Sequence, residues 1–312
     1  MNSFSAIYAA VVGLKNRLYD SGSLKSRALR GPVVSVGNLS VGGSGKTPFV
    51  ILLGELLRQR GIPFDVLSRG YGRKTRGVLE VDPSGLPDRF GDEPLLIARR
   101  VGCPVIVGER RYEAGAYAEG KFGPQLHILD DGFQHRSLAR DFDIVLLSPD
   151  DLHDQPLPAG LLRGPLSSLK RADAIVIPNE MKFAAPPGKQ VWRVGRSIEI
   201  SNAPERAMAF CGIARPQRFI EDLRANGINP VATKFYRDHH PYSSADIDEL
   251  IAIRIQNGAT GFITTEKDQI NLGAHIEKLG NVAIARVRME LIDAADALDT
   301  MLRVIRERKP SA

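Results

Sequence analysis

A chain of 312 residues with 43% hydrophobic and 25% charged residues has ordinary globular proportions and the length of about two domains. Cys103 and Cys211 lie apart in apolar stretches without C-x-x-C spacing, which fits a reducing compartment rather than a disulfide scaffold. A net charge of +6 favours anionic partners, whether nucleic acid, nucleotide or acidic lipid.

No apolar run reaches the roughly 18–20 residues of a spanning helix. At the N-terminus, Phe4, Ile7, Tyr8, Val11, Leu14 and Leu18 recur at three- and four-residue steps, the period of one helix face. Lys15, Arg17, Lys25, Arg27 and Arg30 follow closely. This pattern suits an amphipathic helix lying in a membrane interface and equally a helix packed on its own domain.

Beyond residue 30, short runs rich in Val, Ile and Leu alternate with helix-like segments. Pro32–Asn38, Pro63–Arg69, Pro104–Gly108, Leu126–Asp131, Phe142–Ser148 and Asp173–Asn179 are continuously apolar, as strands of a parallel sheet covered on both faces are. A helix is expected from about Thr47 to Arg60. The stretch KFAAPPGKQ breaks the pattern near residues 180–190, and Val191–Ile200 reads as extended. A second series follows through Ala207–Ile213, Pro230–Phe235, Gly261–Thr265 and Asn281–Arg288. The expected fold is therefore α/β and P-loop NTPase-like, with two α/β/α sandwich domains joined by a short β linker. The expected divisions are an N-terminal helix over 1–30, a P-loop domain over 31–190, a linker over 191–205 and a smaller C-terminal domain over 206–312.

The segment Ser40 to Thr47 (SVGGSGKT) lies between a predicted strand and a predicted helix, and its end matches the close of the pattern G-x-x-x-x-G-K-[ST]. Gly42, Gly43, Ser44 and Gly45 allow the backbone to curl so that successive N–H groups face phosphate oxygens, and the helix N-terminus adds positive potential. Lys46 is expected on the β- and γ-phosphates of ATP and the Thr47 hydroxyl on Mg²⁺. Ser40 replaces the first glycine, and Gly42 and Gly43 supply flexibility inside the loop. Asp130 and Asp131 close an apolar strand at the end where ligands of open parallel sheets sit, which makes them candidates for the Mg²⁺ shell; an Asp-Asp-Gly turn is the plainer reading.

From these residues the chain resembles the tetraacyldisaccharide 4'-kinases, the lipid A 4'-kinases. The resemblance runs through VSVGNLSVGGSGKTP (Val34 to Pro48), SRGYGR (Ser68 to Arg73), GDEP (Gly91 to Pro94), LDDGFQH (Leu129 to His135), LPAGLLRGPL (Leu157 to Leu166), DHHPY (Asp238 to Tyr242) and TTEKD (Thr264 to Asp268). It implies ATP- and Mg²⁺-dependent phosphorylation of the 4'-hydroxyl of a tetraacylated glucosamine disaccharide 1-phosphate, a lipid A precursor. It further implies the cytoplasmic face of a bacterial inner membrane, an N-terminal helix on that membrane, and a second α/β domain closing over the nucleotide. Asp92 resembles the family's catalytic Asp and His239 the His paired with it. Read from the residues alone, Asp92 is also a helix cap and Asp-His-His a metal site. Arg69 and Arg73, flanking Gly70-Tyr71-Gly72, are candidates for the substrate's phosphate or sugar, or else form a solvated basic loop. Arg110 and Arg111 are weaker candidates of the same kind. Glu266, Lys267 and Asp268 match a family motif and are expected between the domains or beside the nucleotide, with Gln134 and His135 supporting the Asp130-Asp131 loop. Gly164 departs from the Glu carried by many members.

A regulatory GTPase, ATPase or metallochaperone-type protein is the competing reading. Guanine-specific members carry N-K-x-D or T-K-x-D, whereas Thr265 to Asp268 (TEKD) has its Lys one place late. No nucleic acid partner is expected, because only 6% of residues are aromatic and no basic-aromatic strip is present. The chain is expected to act as a monomer.

Overall fold

The computed structural model describes residues 3–309. A helix, α1 (Ser3–Asp20), precedes β1 (Val33–Asn38), α2 (Lys46–Gln59) and β2 (Phe64–Ser68). The chain continues through β3 (Leu79–Glu80), α3 (Pro87–Phe90), α4 (Asp92–Val101), β4 (Val105–Val107), α5 (Arg111–Phe122), β5 (Leu126–Asp130), β6 (Phe142–Leu146) and β7 (Ala174–Pro178). A long strand, β8 (Gln190–Ile200), leads into β9 (Ala207–Cys211), α6 (Pro216–Ala225), β10 (Ala232–Phe235) and α7 (Ser244–Gln256). The last elements are β11 (Gly261–Thr265), α8 (Glu266–Leu272), α9 (Ile276–Leu279), β12 (Val282–Leu291) and α10 (Ala294–Arg308).

Among the described residues the strands form one sheet in the order β10-β9-β11-β12-β8-β7-β6-β1-β5-β2-β4-β3. Every residue of β1, β2, β5, β6 and β9 is buried, which is why these strands read as unbroken apolar runs. Phe49, Val50, Leu53 and Leu57 of α2 cover one face, and Ala114 and Ala118 of α5 pack with Leu67, Ile106 and Leu129 on the other. Each such fully buried large side chain contributes about 1.5–3 kcal/mol.

The junction is β8. Its first half pairs in parallel with β7 and its second half antiparallel with β12, from Leu291↔Val194 to Ala285↔Ile200. Trp192 and Val194 join the core of the first series, while Ile198 joins that of the second. The edge strand β3, only two residues long, lacks the pattern length that would reveal it in sequence.

The last helix does not stay with its neighbours in sequence. Leu298, Met301 and Ile305 of α10 lie in the core that holds Val34, Phe49 and Phe142. Arg308 and Lys309 then reach Asp173 and the carbonyls of Leu29 and Gly31. The expected C-terminal unit over 206–312 thus sends its final helix back to the first core, because the apolar stripe of α10 is buried there.

Met301 has no exposed surface, so Met301→Ala should lower unfolding free energy by about 2–5 kcal/mol in urea titrations. A loss below ~1 kcal/mol would show that α10 is a loosely held tail.

Candidate active site

The loop after β1 is held open toward the cavity by three left-handed glycines, Gly42 (φ 73°), Gly43 (φ 57°) and Gly45 (φ 82°). Ser40 is not among the positive-φ residues, which explains why a side chain is tolerated where the motif has glycine. No acidic side chain occupies the first turn of α2, leaving its N–H groups and positive end free for an anion. Lys46 Nζ donates to Asn38 Oδ1 at 3.0 Å and lies 3.5 Å from Asp131 Oδ1. Thr47 is buried in the next position.

The two strand-terminal carboxylates have different surroundings. Asp130 ends β5 and receives the Ser68 hydroxyl at 2.9 Å. Burial first, then the like charges of Glu93 and Asp131, push its carboxyl up to about 7. Asp131, in the left-handed region at φ 51°, accepts both Arg163 contacts at 3.0 and 2.8 Å. Burial acts to raise its pKa, but the Lys46 and Arg163 charges outweigh it and hold the group below the usual carboxylate range. Arg163, in the LPAGLLRGPL segment, was legible as part of a motif, but its partner was not. A Cβ on Gly164 would meet Ser168 Oγ at 3.5 Å and Val12 Cγ1 at 3.8 Å, ordinary contacts, so packing does not demand glycine there.

The structure brings Asp92 and His239 together across 147 residues, with His239 Nδ1 at 3.0 and 2.8 Å from the two Asp92 oxygens. Gly91, at φ 89°, takes the cap position of α4, and Asp92 is the first helical residue, its Oδ1 receiving the Glu93 N–H at 2.8 Å. A carboxylate only accepts, so Nδ1 carries the proton; the Lys267 ammonium, 3.2 Å from Nε2, only donates. Burial raises the Asp92 pKa, yet the His239 hydrogen bond and the Lys267 charge leave it lowered overall. Burial lowers that of His239, and the Asp92 bond and charge more than reverse this. The two shifts describe one matched pair. His240 turns away to stack on Tyr236 at 4.5 Å, so the Asp-His-His triplet is divided between two sites. Among the described residues no group of three or more His, Cys, Asp or Glu side chains is gathered for a metal.

One cavity of about 1060 Å³ is lined by the glycine loop, Asp130 and Asp131 from the first cluster and by His239 and Lys267 from the second. Tyr71 and Arg69 also line it, and the Tyr71 ring lies 5.0 Å from that of His239. Arg73 points elsewhere: its Nη2 donates to Glu109 and to the Gly77 carbonyl, each at 2.7 Å. Arg111 rather than Arg110 is buried, its pKa brought down to about 10 by burial despite the opposing charges of Asp130 and Asp131. His135 is pushed down to about 4, by burial and then by Arg111, Arg140, Lys15 and Arg69. Such a concentration of cations near one imidazole marks a field that attracts anions.

Lys267 proves to face Glu93 at 3.4 Å and Asp238 at 3.0 Å, while Glu266 takes Arg100 at 2.8 and 2.9 Å. Asp268 is buried and accepts from Gly212, Tyr242 and Thr265. Asn271, which donates to Asp92 Oδ2 at 3.0 Å, had no signature in sequence except its spacing of four from Lys267 on one helix.

A phosphate loop opening a helix beside strand-end carboxylates, on a mainly parallel sheet with helices on both faces, defines a P-loop NTPase-like protein. A profile of the tetraacyldisaccharide-1-P 4'-kinase family matches residues 1–306. The chain is 51% identical to the tetraacyldisaccharide 4'-kinase of Koribacter versatilis, over 99% of this chain and 100% of that one. It is 38% identical to the enzyme of the same name from Geobacter metallireducens, over 93% of each. The crystal structure of the "apo" form of LpxK from Aquifex aeolicus in complex with ATP superposes with a TM-score of 0.79 at 35% identity, covering 97% of each chain. The chain belongs to the tetraacyldisaccharide 4'-kinase family and is an enzyme.

Asp130 generates a pH test. Its folded value, about 7, stands above the unfolded 3.8, so its contribution favours the fold below 3.8 and is lost as pH rises to 7. Asp130→Asn removes that loss, worth about 1.4 kcal/mol per pH unit across the window. In chelator-treated protein the variant's melting point should pull ahead of wild type from about pH 4 to 7 and then keep a constant lead. Parallel curves throughout would mean that Asp130 is ionised without penalty.

Proposed function

We propose that this enzyme transfers the γ-phosphoryl group of ATP to the 4'-hydroxyl of a tetraacylated glucosamine disaccharide 1-phosphate. The carrying observation is that one cavity is lined both by the glycine loop with Lys46 and by His239, whose ring is bonded to Asp92. In this reading Gly42, Gly43, Ser44 and Gly45 turn backbone N–H groups to the triphosphate, and Lys46 leaves Asn38 to neutralise its terminal oxygens. The hydroxyl oxygen bonds to the γ-phosphorus, the bond to the β-phosphate bridging oxygen breaks, and the hydroxyl proton passes to the Asp92–His239 pair.

Thr47, Asp130 and Asp131 would hold Mg²⁺. Their hard oxygen donors suit that ion, and the raised Asp130 carboxyl, crowded by Glu93 and Asp131, is a charge arrangement that a cation relieves. When bound, Mg²⁺ neutralises charge building on the phosphoryl oxygens. Tyr71 supports the His239 ring. Arg69 and Arg111, together with Arg140 and Lys15, supply the field for the substrate's own phosphate. Arg73, tied to Glu109, serves by holding this loop.

A lipid substrate requires access from a membrane, and α1 offers a route. Its Tyr8 hydroxyl donates to the Arg163 carbonyl and Arg136 donates to the Asn16 carbonyl, while Val11 and Leu14 remain 61% and 59% exposed. No described helix is long and apolar enough to cross a bilayer. We read α1 as an interfacial helix, on the cytoplasmic face of the inner membrane, carried by a monomer. The 31–190 series together with α10, and the 206–291 series, linked through 191–205, act as two lobes around the nucleotide, with His239 of the second bonded to Asp92 of the first.

Incubating the enzyme with γ-labelled ATP, Mg²⁺ and the disaccharide 1-phosphate in mixed micelles should give a bisphosphorylated lipid. Lys46→Ala should lower the rate by roughly 100-fold or more, and Asp92→Asn should depress kcat by about 100-fold with little change in ATP KM. Absence of labelled lipid with wild type, or an undiminished kcat for Asp92→Asn, would remove the reading. Separately, Val11→Asp with Leu14→Asp should weaken flotation with anionic vesicles while leaving thermal stability unchanged, since both side chains are exposed; undiminished flotation would return α1 to a purely structural role.

A further inference from the structure

The Asp92 carboxylate needs more than His239 to hold its plane. The terminal torsion of an aspartate is broad, so the side chain does not set its own orientation. Two donors act on opposite oxygens: the Glu93 N–H on Oδ1 at 2.8 Å and Asn271 Nδ2 on Oδ2 at 3.0 Å. His239 Nδ1 then meets both oxygens. Asn271 is the only one of these donors outside the Asp92–Glu93 turn and the His239 loop.

Asn271 is itself anchored. Helix α8 is capped by Thr265, whose hydroxyl accepts the Asp268 N–H and donates to the Asp268 carboxylate. Asp268 also receives Gly212 N–H at 2.7 Å and the Tyr242 hydroxyl at 2.8 Å, fixing α8 against the end of β9 and the segment that follows His239. On the facing helix, Arg100 clamps Glu266 with two bonds. Lys267 and Asn271, four residues apart, therefore share a helix face turned to the start of α4. His239 occupies the left-handed region at φ 58°, its N–H bonded to the Gly212 carbonyl at 3.2 Å. One buried hub at Asp268 thus governs both the donor to Asp92 and the backbone that carries His239.

We infer that Asn271 is a positioning residue for phosphoryl transfer, locking the Asp92 carboxylate in the plane that aligns His239 toward the acceptor hydroxyl. Asn271 touches neither substrate nor nucleotide in this role; it acts through Asp92. The inference rests on the Asp92–His239 pair being the proton acceptor.

The test uses the full-length enzyme with Asn271→Ala and Asn271→Asp, each alone and in the Asp92→Asn background. Asn271→Asp keeps the shape but loses the donor. Both variants should lose kcat by roughly ten- to a hundred-fold while KM for ATP and for lipid stays within about three-fold. Asn271→Asp should be the slower of the two, because a carboxylate faces Asp92 where a donor stood. A residue that mattered only for packing would give the opposite order. In the Asp92→Asn background neither change should lower the rate further. A faster Asn271→Asp, or an equal additional loss in that background, overturns the inference. Full activity of Asp92→Asn itself would sink the acceptor reading, a result distinct from wild-type kcat in the Asn271 variants.

Discussion

Asp92 is a carboxylate almost completely withdrawn from water, and burying an unmatched charge costs several kcal/mol. Everything around it answers that constraint. His239 supplies a proton on one side, Asn271 a donor on another, and the Lys267 ammonium stands 3.9 Å away. All three partners come from the second half of the chain. The contacts that satisfy Asp92 therefore also tie the two halves together beside the cavity, alongside β8 and α10. An arrangement that separated them would leave a buried charge exposed to nothing but its own helix start.

A neighbouring part of the cavity lining, reached through Glu93, shows an inverse problem. There Asp130, Asp131 and Glu93 place negative charge close together, and Lys46 and Arg163 neutralise only Asp131 well. The residual frustration at Asp130 is compatible with a fold held by the large cores on either side of the sheet. Sites that handle a highly charged nucleotide commonly retain such unmatched groups, because the ligand and its ion complete the balance.

A line of contacts connects α1 to this chemistry. Tyr8 bonds the backbone of Arg163, whose guanidinium grips Asp131, which in turn stands beside Lys46. Lys15 adds to the positive field at His135. The surface proposed for lipid contact and the cavity proposed for catalysis are thus built from neighbouring residues. The proposed substrate placement, with acyl chains in a membrane and a sugar in the cavity, would need that proximity.

The order of elements was legible because parallel strands buried on both faces cannot avoid unbroken apolar runs, and the phosphate loop was legible because its glycines and GKT obey local backbone geometry. Asp130 and Asp131 stand out because they close an apolar strand, whereas Asp92 and His239 are singled out only by the family resemblance, His239 lying in the loop between β10 and α7. Pairing was not readable. Arg163 with Asp131, Arg73 with Glu109, Asn271 with Asp92, and the return of α10 to the first core all join residues distant along the chain. Local sequence sets backbone conformation and the face an element buries. Which charged groups then meet depends on how the packed elements cross, and only the tertiary structure decides that.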